Sequence, residues 1–384
     1  MNMQLSEIFS GAKPSIFEYL PSEELPLPST NIGIEIEVEN YRGADMFRAS
    51  PMNGRWDQVS DGSLLNRGVE FVSEKAYGVD ILSALDAFSN FVDDMESAGF
   101  PMEITDRCGL HIHLDVSDMD VEQLTTLVGL NFLLERALTD ISGGRHDDLF
   151  CAPVGDSVTH LMALANLCDM REVTRRQYQR DVLRALTCGS KYTGINYLPI
   201  DTQGSIEYRM HEGTLDADRI LRWIKLIMCI KKYAMDGFRL DGSFPEVVSG
   251  AGFADIVRAI FGEYTPDELL STDVEGFLHR GMRDMQDFLN YRKLLSEQPR
   301  HRSLMFRECA VTRLLANAVP ASELSEYGRA FQSAENFTRY LGIPVEGIDE
   351  NHVYVDDILF DDDHEAEEYD DEEYDEPEPR TGDY

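Results

Sequence analysis

Four stretches of the chain alternate apolar and polar positions with a period of two, the repeat of a β-strand. In Asn31–Asn40, Ile32, Ile34, Ile36 and Val38 alternate with Gly33, Glu35, Glu37 and Glu39. In Val69–Val72, Val69 and Phe71 share one face, and Glu70 lies on the other. In Cys108–Val116, Leu110, Ile112, Leu114 and Val116 oppose His111, His113 and Asp115. In Gln203–His211, Ile206, Tyr208 and Met210 oppose Ser205, Glu207, Arg209 and His211. Each reads as a strand with one face for a core and one for polar groups. Glutamate is depleted in strands. Successive acids on one face stand ~7 Å apart, so the column in the first strand needs solvent or a cation.

Between these strands the period changes to that of a helix. Apolar residues recur at helical spacing over Val79–Ala98, Val121–Thr139 and Asp216–Met235. Two helices are expected over Asp156–Thr187, and helices throughout Phe253–Leu341. Asp61-Gly62 marks a turn between extended segments. Arg42–Pro51 and Ser142–Cys151 read as loops. The order predicts an α+β fold: an antiparallel sheet with helices against its apolar face. Residues 1–30 form an N-terminal arm with four prolines, 31–240 the strand-bearing domain, 241–345 a helical region packed on or extending it, and 346–384 a disordered acidic tail.

Composition narrows the function classes. The formal net charge is −37, and residues 356–379 hold fifteen acids and no Lys or Arg. An acidic surface disfavours sequence-blind nucleic-acid binding and contact with anionic membranes. The tail reads as a solvated appendage, with a basic protein partner as the sharper alternative. No apolar run is long enough to span a bilayer and no signal-like start is visible, and the six cysteines show no C-x-x-C pairing. The expectation is a cytoplasmic protein with reduced thiols.

If the strands share a sheet, one face gathers Glu35, Glu37 and Glu39, Glu70, His111 and His113, and Glu207 with Arg209. Clustered carboxylates are costly unless cations occupy them. Oxygen-rich donors with an imidazole suit Mg²⁺ or Mn²⁺, and an adjacent arginine suits a transferring phosphoryl group. Glu39 reads as solvated at the strand end and Asp115 as a strand-end or cap group. His211, Trp56 and Asp61 read as structural or rim residues, and Cys108 as a small core residue.

Gly33-Ile-Glu-Ile-Glu37, Trp56 followed by Asp61-Gly-Ser-Leu64, Gly68-Val-Glu-Phe-Val-Ser73, Cys108-Gly-Leu-His-Ile-His113 and Ile206-Glu-Tyr-Arg209 before Gly213-Thr214 together resemble the amidoligase family. That family belongs to the carboxylate–amine ligase superfamily with glutamine synthetase and glutamate–cysteine ligase. The resemblance implies a glutamine-synthetase-like catalytic fold, a curved antiparallel sheet holding ATP and divalent metal on its concave face with helices on the convex one. It implies an amide or isopeptide bond made through an acyl phosphate. By motif, Glu35, Glu37, Glu70, His113 and Glu207 would be metal ligands, and Arg209 the phosphoryl stabiliser. His113 and Arg209 would also touch nucleotide. Lys191 and Asn196, in Lys-Tyr-x-x-x-Asn, would contact phosphate or substrate. The partners implied are a carboxylate and an amine from amino acids, peptides or proteins; relatives of this kind occur in phages and biosynthetic clusters. Two other classes stay open: an inactive scaffold that keeps the fold, and a hydrolase with Zn²⁺ on His111, His113 and carboxylates.

Overall fold

The computed structural model describes residues 4–5, 22–143, 145, 151–154, 191–236, 253–270, 276 and 281. The acidic tail, the helices expected over Asp156–Thr187, and most of the N-terminal arm and of Phe253–Leu341 lie outside the described residues. The chain divides into two units, Met1–Gly342 and Ile343–Tyr384, and every described residue belongs to the first.

The elements follow the two periodicities. They are β1 (Ile32–Val38), α1 (Ala44–Ala49), β2 (Trp56–Val59), β3 (Val69–Ser73), α2 (Val79–Ser97), β4 (Gly109–Asp115) and α3 (Val121–Ile141). Then come β5 (Ile195–Asn196), α4 (Pro199–Gln203), β6 (Ser205–Glu212), α5 (Ala217–Met235) and α6 (Phe253–Phe261). Short 3₁₀ turns follow at Gly262–Tyr264 and Asp267–Leu270. The six strands form one antiparallel sheet in the order β2-β3-β1-β4-β6-β5. The glutamate strand β1 therefore lies inside the sheet, paired on both edges.

The apolar face is closed by helices. Ile34, Ile36, Phe71, Leu110, Ile112 and Tyr208 are fully buried in one core with Leu85 and Phe88 of α2, Leu127 and Leu130 of α3, and Ile224 and Ile227 of α5. Burying one such side chain contributes about 1.5–3 kcal/mol relative to leaving it in water. Trp56 is part of this core: its ring lies 5.3 Å from that of Phe88, and its indole N–H donates to the Ala84 carbonyl at 3.1 Å. The helix starts are capped as their sequences allow. Asp120 and Gln123 form a reciprocal capping box on α3, and Asp216 accepts from the backbone of Asp218 and Arg219 on α5.

Two local readings are corrected. Arg42–Pro51 is not all loop: Ala44–Ala49 makes a helix of six residues. Its Phe47 ring packs 5.8 Å from Phe71 and 5.9 Å from Phe91, so tertiary burial overrides weak local periodicity. Glu39 is not solvated but only 2% exposed. Its carboxylate accepts from the Leu65 backbone at 2.6 Å and from the Asn66 side-chain amide at 3.3 Å, tying down the loop after Asp61-Gly62.

One buried cation is structural. Lys231 on α5 is fully buried, and its Nζ donates to Thr30 Oγ1 at 3.0 Å, the Asp115 carbonyl at 2.7 Å and Asp118 Oδ1 at 2.6 Å. Three acceptors satisfy all three donors of the ammonium. They pin the end of β4 to the segment entering β1. Among the described residues, no helix is long and apolar enough to cross a membrane.

Candidate active site

The register of the sheet builds the polar cluster. Glu37 pairs with Glu70 across β1 and β3, Glu35 with His111 across β1 and β4, and His113 with Glu207 across β4 and β6. Side chains directly opposite on one face lie about 4.5–5.5 Å apart at Cβ. Four strands thus deliver acids and imidazoles to one patch.

His111 sits at its centre. Its Nδ1 lies 3.3 Å from Glu35, 3.6 Å from Glu207 and 3.8 Å from Glu70, and its Nε2 lies 3.9 Å from Glu37. His113 reaches sideways instead, with Nε2 3.0 Å from Glu35 and Nδ1 3.2 Å from Ser205 Oγ. Its ring can lean over β1 because residue 33 is glycine; a Cβ there would stand 3.3 Å from the His113 Cβ. Arg209 pairs with Glu207 through Nη1, and its buried Nε–H has no hydrogen-bond partner among the described residues. Asn196, 4% exposed, donates to the other Glu207 oxygen at 2.6 Å. Asn196 therefore orients Glu207. Lys191 is exposed, with Nζ 5.0 Å from the ring centroid of its neighbour Tyr192, and makes no ion pair among the described residues.

Three further contributors were not among the candidate site residues, although Ser205 lies on the polar side of its strand's alternation. Gly109 donates its backbone N–H to Glu37 at 2.6 Å. A Cβ at Gly109 would stand 2.6 Å from Arg145 Nη1, 2.8 Å from His111 Nε2 and 3.2 Å from Glu37 Oε2. Glycine is needed there for close approach, and the space it leaves admits Arg145. That guanidinium, from the loop after α3, also donates to the carbonyls of His211 at 3.3 Å and Arg209 at 3.5 Å. Ser205, the third, holds His113. Only the Cys-Gly-Leu-His spacing hinted at the glycine; nothing local hinted at Arg145.

His211 does not share the patch. The β4–β6 register shifts between Leu110 and Ile112, so β6 carries an extra residue there. A bulge of one residue reverses the facing of every side chain beyond it. His211 pairs with Leu110 on the helix side and packs edge-on against Trp223 of α5 at 5.2 Å.

Electrostatics divide the acids. Burial and the charges of Glu35 and Glu37 push the Glu70 carboxyl up to about 9. Burial also acts to raise Glu35, but hydrogen bonds to His111 and His113 outweigh it and hold that carboxyl well below its ordinary range. In Glu207, burial is outweighed by the charges of Arg209 and the two histidines, and the net shift is downward. Burial acts to lower His113, yet the bond to Glu35 carries it above its ordinary value.

Two donor groups, Glu35–His111–Glu207 and Glu37–Glu70–His111, each bring their ligand atoms within 4.8 Å of one another. Carboxylate oxygens with one imidazole fit a divalent cation such as Mg²⁺ or Mn²⁺. Two ionised carboxylates about 4 Å apart repel by roughly 4 kcal/mol at an effective dielectric near 20, and either a cation or a proton relieves that. A raised Glu70 means the folded protein holds more protons than the unfolded chain between pH 4.5 and about 9. Stability without metal therefore falls as pH rises through that window. His113, raised above 6.5, adds the same sign. The expected result is a melting temperature that drops from about pH 7 to about pH 9 in chelator and levels when Mg²⁺ replaces the proton. A flat profile in chelator would mean that Glu70 is already ionised.

The profile of the family described as "Putative amidoligase enzyme" matches residues 33–230. A solved structure described as a novel glutamine synthase homolog aligns at 11% identity over 69% of this chain and 70% of that one, with a TM-score of 0.31. That likeness is too slight to carry the fold. No curated protein matches the chain. The matched span runs from the strand of Glu35 and Glu37, through both histidines, to past Glu207 and Arg209; with just over half of its length inside that profile, the chain belongs to the putative amidoligase enzymes.

Proposed function

We propose that the protein is an ATP- and Mg²⁺-dependent ligase that joins a carboxylate to an amine. The observation that carries this reading is the convergence of Glu35, Glu37, Glu70, His111 and Glu207 with the guanidinium of Arg209 on one sheet face. An acidic face repels a triphosphate unless cations lie between them. The two donor groups are the residues that would hold those cations, which supply the charge neutralisation needed at the phosphates.

In the proposed reaction a carboxylate oxygen attacks the terminal phosphorus of ATP and ADP leaves, giving an acyl phosphate. The amine nitrogen then attacks the acyl carbon, phosphate leaves with the electron pair of the acyl carbon–oxygen bond, and the nitrogen releases a proton to solvent to form the amide. Arg209 would bind the oxygens of the transferring group, using donors that Glu207 does not occupy. Asn196 would keep Glu207 aligned, and Ser205 and Glu35 would orient His113. Such chemistry rests on positioning and charge stabilisation and requires no nucleophilic side chain.

The testing experiment measures phosphate and ADP release with panels of acids and amines. Release should require ATP, Mg²⁺ and both substrates, with a new amide in the products. Amide hydrolysis without nucleotide would place the protein among His/carboxylate hydrolases instead.

A further inference from the structure

The helix-covered side of the sheet holds a concavity apart from the polar patch. A cleft of about 490 Å³ opens beside α5, β6 and the 3₁₀ turns that follow α6. Arg219, Arg222 and Lys225 enter it from successive turns of α5, with Trp223 and Tyr264 among its walls. Residues three apart on a helix are surface neighbours, so three cations stand in a row on a chain whose net charge is −37.

The cations are not equally engaged. Arg219 is paired with Glu212 at 2.6 Å. Lys225 lies 5.9 Å from the ring centroid of Tyr264. Arg222 is exposed and makes no ion pair among the described residues. Glu263 and Glu268 line the cleft too, so the cations do not simply face open solvent. Trp223 is only 3% exposed, and among the described residues its indole N–H has no hydrogen-bond partner. An unmet buried donor costs about 1–3 kcal/mol. A merely solvated basic helix face accounts for Arg222 and Lys225; it does not account for the cleft they share with Tyr264.

We propose that this cleft is a ligand site for a small organic anion, with its phosphate or carboxylate head on Arg222 and Lys225. A flat apolar body would lie against the ring of Tyr264, beside the covered edge of Trp223. Guanidinium and ammonium donors beside an aromatic wall select an anion carrying apolar surface over a bare ion. The site is independent of the chemistry proposed for the opposite face.

The chain has two tryptophans, and the second is an internal control. Trp56 lies in the core, its N–H donating to Ala84, whereas Trp223 borders the cleft. The full-length protein, free of divalent metal, is titrated with phenyl phosphate, benzoate and inorganic phosphate while the two indole ¹⁵N–H signals are followed; Trp56→Phe assigns them. Phenyl phosphate or benzoate should shift the Trp223 signal saturably and leave that of Trp56 in place, and the tighter of the two names the head group. Inorganic phosphate should bind at least about tenfold more weakly, lacking apolar surface. Arg222→Glu should lower affinity at least about tenfold with an unchanged melting temperature, and Lys225→Gln should do so more mildly. Failure of both organic anions to shift Trp223 at millimolar concentration would overturn the proposal. So would equal binding of inorganic phosphate, or binding indifferent to both substitutions.

Discussion

Replacing Arg209 with alanine is expected to lower turnover about 10³-fold while nucleotide affinity stays within about tenfold. The guanidinium is buried with Glu207, and its Nε–H is unmet among the described residues. A charge that stabilises only the transferring phosphoryl group contributes in the transition state more than in the ground state. Its loss therefore appears in kcat before it appears in binding. The substitution also removes the charge that holds the Glu207 carboxyl down, so Glu207 should take up a proton more readily and the activity profile should move toward higher pH. Arg209→Lys restores the charge but not the fork, and should recover only part of the rate. Unchanged turnover in Arg209→Ala would remove this residue from the mechanism.

The second large effect is expected at Glu35. Glu35→Gln should weaken Mg²⁺ binding by roughly 10- to 100-fold, read by calorimetry or by the Mg²⁺ dependence of the melting temperature. Glu35 has the richest set of imidazole partners of the four cluster acids, lying 3.0 Å from His113 and 3.3 Å from His111. Glutamine keeps the shape and one acceptor, but it loses the charge and turns an amide toward the rings. Glu39→Gln is the paired control. It sits on the same strand, but its carboxylate serves Leu65 and Asn66, so it should lower stability and leave the Mg²⁺ titration unchanged. Equal titrations for wild type and Glu35→Gln would mark Glu35 as a structural partner of the histidines only.

Several elements were legible in the order of residues because each rests on a local rule. Ile32, Ile34, Ile36 and Val38 repeat every second position, and a strand is the backbone that puts such a set on one face. The helices over Val79–Ser97, Val121–Ile141 and Ala217–Met235 follow from apolar spacing, and the last two also have acidic caps, Asp120 and Asp216, at their starts. Glu35, Glu37, Glu70 and Glu207 were legible as a set because an acid is out of place in an alternating strand unless something recruits it. The family motifs added the order in which these strands occur.

Other features had no local signature. Glu39 continues the same alternation as Glu37, yet one meets a loop backbone and the other the cluster. His111 and His113 look alike in the chain, but strand register puts His111 among four carboxylates and His113 between Glu35 and Ser205. His211 continues the alternation of β6 on paper, and a single extra residue turns it to the other side of the sheet. Arg145 enters from a loop through the gap at Gly109.

Side-chain periodicity and residue chemistry by themselves determined which of the longer segments are strands or helices, which face of the four alternating strands is polar, and that this face is rich in acids. These are properties of a residue and its near neighbours. Tertiary structure alone decided which strands adjoin, where the register slips, which imidazole is central and which acid is tied to a loop. Those outcomes depend on contacts between residues tens to hundreds of positions apart, and no periodicity along the chain encodes the distance between them.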